Sequence, residues 1–553
     1  MRRRELITAA SLLIGAATTT KAAAASESVI QGREIKTVAN VSALKRAPLS
    51  ETTVCLGYHT PGDGGGGIFT WRPDSNSEPD LGLVFASELS STGRWLRIPD
   101  GELNPRWFGA YGDGIHADTE AVARCLGKCS QTTLSGIWTA VEFPSGTYLL
   151  DGSVSVKLNR VRIVGNFAVF KQTKANCPIL EIEGAEWTIS GFRFEWSELQ
   201  DSKNTKSIAI AIGGGGGWGF RIESCHFNGG FRGISSYLSS FFNNPLIWAA
   251  SIVDCRFRNF TGAAIFIQPR KTNAGQLSLT LQDIGIYHYR APAIEPHIRI
   301  WDCEVFLSQL DIEGFSFEDI SLEQCYGTIL SVHIEHKKAL LPEAKDVCVL
   351  RASRCSLFCQ GWTIQGALTS GGSDRSSFRI INAYESDIVV AHIIDKSFGF
   401  VGAWDRISLG GKNTSYKLLS SLPLRTNQKG MSGYRVEATH ENNFYDAAPT
   451  LLLDPEDDEF EVPRASRVDV VFSKDLTRNK RLVLPRPGSC SGATCKIMRT
   501  DASNGAGVIS VRGSGQDEWK LDTAGTWLEF IWFHDARAWL RVAGGTSQNA
   551  VPR

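Results

Sequence analysis

Cys303-Glu-Val-Phe-Leu-Ser-Gln-Leu-Asp-Ile-Glu313, Cys325-Tyr-Gly-Thr-Ile-Leu-Ser-Val-His-Ile-Glu335, Cys355-Ser-Leu-Phe-Cys-Gln-Gly-Trp-Thr-Ile-Gln365 and Tyr384-Glu-Ser-Asp-Ile-Val-Val-Ala-His-Ile-Ile394 are four versions of one short pattern. Their first residues step by 22, 30 and 29 positions. Self-similarity at such a period marks an architecture whose units bury their apolar face only against neighbouring units. Apolar and polar residues alternate in Leu310-Asp-Ile-Glu, Val332-His-Ile-Glu and Trp362-Thr-Ile-Gln. That period of two is the signature of a strand. Stacked in register, the units form a parallel β-helix whose rungs lie about 4.8 Å apart. Residues 20 to 30 positions apart in sequence thereby become neighbours.

The pattern extends toward the N-terminus. Ile189-Ser-Gly-Phe-Arg-Phe, Ile222-Glu-Ser-Cys-His-Phe, Ile252-Val-Asp-Cys-Arg-Phe and Ile300-Trp-Asp-Cys-Glu-Val share a form, with Leu281-Gln-Asp-Ile-Gly-Ile in the longer gap. Cys225, Cys255, Cys303, Cys325, Cys355 and Cys359 fall on or beside these anchors and read as small apolar residues stacked up the interior. The thirteen cysteines form no zinc spacing. Cys490 and Cys495 are the better disulfide candidate. Beyond about residue 430 the rungs fade, and Asp454-Pro-Glu-Asp-Asp-Glu reads as a boundary. From Val468 short alternating strands separated by turn residues predict a C-terminal antiparallel β-sandwich over 460–553.

The 553 residues suffice for two or three domains, and the formal net charge is zero. That balance argues against a nucleic-acid footprint or a polybasic membrane anchor. Arg2-Arg3-Arg4, the apolar residues 6–17 and the small residues 22–25 read as an export signal over 1–25. Arg3-Arg4-Glu5-Leu6-Ile7 is similar to a twin-arginine signal. The expected protein is secreted or periplasmic, with no membrane association once the signal is removed.

Residues 34–100 read as a turn-rich lead-in, in which Pro61-Gly-Asp-Gly-Gly-Gly-Gly67 lacks the Lys and Ser/Thr of a phosphate loop and makes a tight turn. Asp118 is placed to cap a short helix through Leu126, and Val141 to Leu150 reads as a strand broken by a turn. Trp107-Phe-Gly-Ala-Tyr-Gly-Asp-Gly with Asp118-Thr, then Phe143-Pro-Ser-Gly-Thr-Tyr148, resembles the opening of the pectate-lyase-like right-handed parallel β-helices. That group includes rhamnogalacturonases, polysaccharide lyases, epimerase-like proteins and phage-tailspike depolymerases. Gly57-Tyr-His-Thr-Pro-Gly-Asp-Gly-Gly-Gly-Gly-Ile-Phe-Thr-Trp71 and Gly93-Arg-Trp-Leu-Arg97 resemble the segment preceding the helix in tailspike-like proteins. The resemblance implies an all-β fold, with the right-handed helix over 101–445, a polysaccharide substrate and a possible homotrimer.

Strand alternation places Leu310, Ile312, Val332, Ile334, Trp362 and Ile364 inward. Asp311, His333, Thr363 and His392 then form one outward column, and Glu313, Glu335 and Gln365 the next. Two carboxylates on adjacent rungs cannot both ionise cheaply, and a general acid beside a charged carboxylate is what glycoside hydrolysis needs. Retaining enzymes hold the carboxyl groups about 5–5.5 Å apart and inverting ones about 6.5–9.5 Å apart. The catalytic candidates are therefore Glu313, Glu335, Asp311 and His333. A bound Ca²⁺ would also explain stacked carboxylates, and no other cofactor is implied.

A second group, Tyr287, His288, Arg290, Glu295, His297 and Arg299, would serve a lyase, which needs a base and a cation facing a uronate carboxylate. Arg270 could also supply that cation. Among the fifteen Trp and eleven Tyr residues, outward Trp301 and Tyr326 suit stacking on sugar rings. Arg290 and Arg299 complete the substrate-binding set. The expected activity is a polysaccharide depolymerase, with a glycoside hydrolase preferred over a β-elimination lyase. A non-catalytic glycan-binding or matrix protein and a C5-epimerase remain as alternatives. The loops 271–275 and 337–345 would set sugar specificity.

Overall fold

The computed structural model describes residues 36–546 except 133–139, 214–216, 237–246, 269–276, 317, 337–346, 367–377, 396–408, 413–414, 419–443, 448–449, 454–458, 462–466, 473–475, 485–493, 500–505, 514–517 and 534–537. The export signal, the loops 271–275 and 337–345, Arg270 and Cys490 lie outside the described residues, as do the side chains of Arg290, Ile364, Gln365 and His392.

The middle of the chain coils into the parallel β-helix that the repeats predict. Among the described residues one sheet holds fifteen strands and another holds ten, and consecutive strands of each pair in parallel. Within the larger sheet the chain bends midway along each rung. Ser224, Asp254, Asp283, Gln309 and Ser331 all take positive φ at this bend, and Gly361 follows them. The larger sheet therefore supplies two flanks, exemplified by 304–308 and 310–313, and the smaller sheet supplies the third. A second set of left-handed residues, Asp302, Gln324, Arg354 and Glu385, turns the chain from the third flank to the first. Left-handed backbone costs roughly 1–2 kcal/mol per non-glycine residue. Here the corner amides of Asp302, Gln324 and Arg354 donate to Glu323, Ser353 and Tyr384 one rung on, so rung-to-rung hydrogen bonding continues round the turn.

Both corners carry cysteines, and this corrects the sequence alignment. Ile222 and Ile252 stack on Leu281 and then Leu307, whereas Ile300 lies on the third flank. Cys225 and Cys255 therefore line one corner, and Cys303, Cys325 and Cys355 line the other. The two corners share a form, an apolar residue, one spacer, a left-handed residue and a small thiol, because they make the same local demand. All six repeat cysteines are buried thiols, and burial pushes Cys303 up to about 12. The fourth repeat is also displaced. Tyr384 pairs with Ser353 and Asp387 with Ser356, so Ser386 takes the position of Cys355. The Ser386 hydroxyl accepts the Cys355 amide at 2.9 Å. A hydroxyl thus replaces a thiol, and His392 pairs with Gln360 instead of extending the His333 column.

The core is continuous from the entry helix to the C-terminal coil. Phe194, Phe227 and Phe257 stack face to face at centroid distances of 5.0 and 4.6 Å. The helix Thr119–Thr132 closes the N-terminal end by burying Ala121, Val122, Cys125, Leu126 and Cys129. It is longer than expected, and Asp118 does not cap it with its side chain. That carboxylate turns back to accept the amides of Tyr111 at 2.6 Å and Gly112 at 3.1 Å.

Before the helix, Lys36–Val38, Thr52–Cys55, Gly67–Arg72, Arg94–Ile98 and Val84–Phe85 form a small sheet. The glycine run is a turn, with φ of 84° at Gly62 and 81° at Gly64. Asp63 fills it, accepting the amides of Tyr58, His59, Thr60 and Gly65.

The C-terminal region corrects the expected antiparallel sandwich. Thr450–Leu453, Arg467–Phe472 and Thr494–Arg499 pair in parallel in one sheet. Glu459–Glu461, Lys480–Val483 and Ile509–Arg512 do so in another. Strands alternate between the sheets, so the chain is still coiling. Among the described residues of this region, only Glu518–Leu521, Thr526–Phe533 and Ala538–Thr546 add antiparallel pairs, after the last parallel rung. Alternation identifies a strand but not its partner. The partner spacing of 27 residues between Arg467 and Thr494 matches that of the rungs above.

Candidate active site on the second flank

Alternate residues of each rung point outward on the second flank and form two columns. One runs Arg193, His226, Arg256, Gly285, Asp311, His333, Thr363. The other runs Lys171, Glu195, Asn228, Arg258, Tyr287, Glu313, Glu335. The predicted pairings are present: Asp311 lies opposite His333 and Glu313 opposite Glu335. The four side chains are partly exposed, while Leu310, Ile312, Val332 and Ile334 beneath them are buried. His333 Nε2 stands 4.0 Å from Glu335 Oε2.

Three residues outside the predicted catalytic set organise this site. The Tyr287 hydroxyl donates to Asp311 Oδ2 at 3.0 Å. Partial burial, then the charge of Asp311 and that hydrogen bond, push Tyr287 up to about 12, so it remains a proton donor. Arg256 donates to the Asp283 carbonyl at 2.7 Å and its carboxylate at 2.9 Å, and lies 3.5 Å from Asp254. Gly285 makes room for both: a Cβ there would meet Arg256 Cδ at 2.6 Å and Tyr287 Oη at 2.7 Å. The signal for Gly285 was present in Leu281-Gln-Asp-Ile-Gly-Ile, where glycine falls at an outward position on the rung below Asp311.

The remaining candidates separate. Trp301 and Arg299 lie on the third flank, where Arg299 Cζ sits 4.3 Å from the Trp301 ring and Trp301 Nε1 donates to Glu323 at 2.7 Å. They do not share a face with Glu313 and Glu335. Tyr326 is exposed on the first flank, at the other end of the strand that carries Glu335. Arg290 belongs to Ser278–Ala293, the strand of Tyr287. His288 and His297, offered as lyase bases, are buried at 6% and 2% exposure, which removes them from contact with a polymer. Glu295 instead binds Arg232 through both carboxylate oxygens, which accept from Nε and Nη2. Among the described residues no three His, Cys, Asp or Glu side chains form a metal-binding group.

Residues 37–100 match the phage tail protein small four-stranded beta-sheet domain. The fold is a parallel β-helix behind a lead-in similar to that phage-tail domain. Uncharacterized protein YclG of Bacillus subtilis (strain 168) is 28% identical over 249 residues, covering 40% of this chain and 39% of that protein. This chain thus spans well under half of that relative. Solved structures with a similar chain path include the tailspike gp42 of Acinetobacter phage vb_AbaP_AS12, 13% identical over 94% of this chain and 95% of that one, TM-score 0.48. Pantoea stewartii WceF, described as a glycan biofilm modifying enzyme, is 16% identical over 76% of this chain and 52% of that one, TM-score 0.43.

Proposed function

We propose that this chain is a polysaccharide depolymerase that hydrolyses glycosidic bonds on its second flank. The observation that carries this reading is the register that stacks Glu313 on Glu335 beside Asp311 and His333. Strand pairing holds their Cα atoms about 4.8 Å apart and puts two carboxylates on one face of neighbouring rungs, the pairing on which glycosidases rely. Like charges directly across strands are destabilising, so a structure that keeps them has a use for the pair. One member gives a proton to the departing glycosidic oxygen, and the other faces the anomeric carbon or its attacking water. Tyr287 fixes the Asp311 carboxylate from the rung before, and His333 supports Glu335. Trp301 and Arg299 have no part in this reading, while Tyr326 can line the approach from the first flank.

A second reading shares the site. Tyr287 beside Arg256 offers the proton donor and cation of a β-elimination lyase. The products separate the two. Incubation with acidic and neutral exopolysaccharides is expected to release reducing ends without ultraviolet absorbance from unsaturated sugars. Absorbance rising in step with chain cleavage would replace hydrolysis by elimination, and no cleavage of any polymer would leave a glycan-binding protein. Export through the N-terminal signal and trimer formation belong to the same proposal. A monomeric mass by light scattering would refute the trimer.

A further inference from the structure

The second flank changes sign along its length. Beyond Gly285 it carries Asp311, Glu313 and Glu335; before it the same columns carry Arg193, His226, Arg256, Lys171 and Arg258 with a single carboxylate, Glu195, and Asn228 among them. The basic half is only partly neutralised from within. Arg256 is held by Asp254 and Asp283, and Arg193 reaches Glu195 at 3.8 Å. Among the described residues no carboxylate pairs with Arg258 or Lys171, and Arg258 is exposed. His226 senses the excess: burial first, then the charges of Arg193, Arg258 and Arg256, hold it below its ordinary value. Arg258 Cζ also stands 5.6 Å from the Tyr287 ring, which links the basic half directly to the Asp311 site.

We infer that Arg193 and Arg258 form the specificity subsite of the depolymerase and read the carboxylates of an anionic polysaccharide lying along the helix axis. Guanidinium groups bind carboxylates through paired, charge-assisted hydrogen bonds. A polymer running up the rungs places its acidic sugars on the arginines while its scissile bond reaches Glu313 and Glu335. The inference rests on the hydrolytic reading for the position of the cut, but not for the binding itself.

Affinity electrophoresis of the full chain against polygalacturonate, alginate, hyaluronan, carboxyl-reduced polygalacturonate and dextran tests it. At least one of the three carboxylated polymers is expected to retard the protein, with dextran and the reduced polymer inert. Arg193→Ala with Arg258→Ala should weaken that retardation about tenfold or more, the order expected for removing even one charge-assisted hydrogen bond, and Arg258→Glu should weaken it further. Added salt should weaken it too. Retention of none of the three polymers, equal retention of the reduced polymer, or wild-type retention by the double variant would overturn the subsite. Selective retention without chain shortening would uphold it and defeat the hydrolytic reading. Cleavage confined to neutral polymers would do the reverse.

Discussion

Gly285 is the residue at which the second flank passes from cationic to acidic, and its lack of a side chain matters more than its backbone freedom. Gly285→Ala forces Arg256 and Tyr287 aside. Overpacking of this kind costs about 1–3 kcal/mol, and displacement of Tyr287 breaks its bond to Asp311. The expected result is a modest fall in the thermal midpoint with a large loss of cleavage; unchanged activity would remove Tyr287 from the site. Tyr287 and the buried Tyr148 are both pushed up to about 12, whereas unfolded tyrosines ionise near about 10. The folded chain therefore holds these protons more tightly. Their contribution is complete below about pH 10 and is lost as pH rises through about 12. Thermal midpoints across that window should fall less steeply in the Tyr287→Phe, Tyr148→Phe double variant than in the wild type.

Strands and corners show how far the sequence could be read. Repeats at 303, 325 and 355 gave the correct register for Asp311, His333, Glu313 and Glu335, because alternation over an apolar floor admits one phase only. The fourth repeat slipped because Ser386, not Tyr384, replaces the corner cysteine, and residue identity does not reveal that a hydroxyl can accept the Cys355 amide. Cys303 and Cys225 carry the same short motif although they line different corners, because two corners of one rung make the same local demand. Register can be measured: Glu313→Cys with Glu335→Cys should close a disulfide on mild oxidation, since adjacent rungs lie within the roughly 4.4–6.8 Å between Cα atoms that a disulfide spans. Intact mass after alkylation under denaturing conditions should show two fewer modified thiols than the reduced variant; full alkylation would contradict the register. In the core, Phe227→Ala should cost about 3–5 kcal/mol in denaturant unfolding, as other buried phenylalanines do, because it empties the middle of the aromatic stack.

Across the whole molecule the chain is one coil with a small sheet in front and antiparallel strands at its end. Arg97 ties the front sheet to the coil. It is buried and donates to the carbonyls of Gly82, Gly66 and Gly65, and its guanidinium lies 4.6 Å from the Phe69 ring and 4.8 Å from the Trp107 ring. The helix and its entry were legible because cap motifs and repeat periods are local. The placement of Trp301 and Arg299 was not, since outward aromatic and basic residues carry no label for the flank they occupy. The basic half of the second flank was hidden for a related reason: Lys171, Arg193, His226, Arg256 and Arg258 are scattered in sequence and gather only once the rungs are stacked. Glu335 sits at the acidic end of that surface, partly exposed, so Glu335→Gln should leave the thermal midpoint nearly unchanged. The decisive measurement is the size distribution of carboxylated polysaccharides after incubation with the wild-type chain and with Glu335→Gln. Shortening of a polymer by the wild type and none by the variant is the predicted result, and equal shortening by both would contradict it.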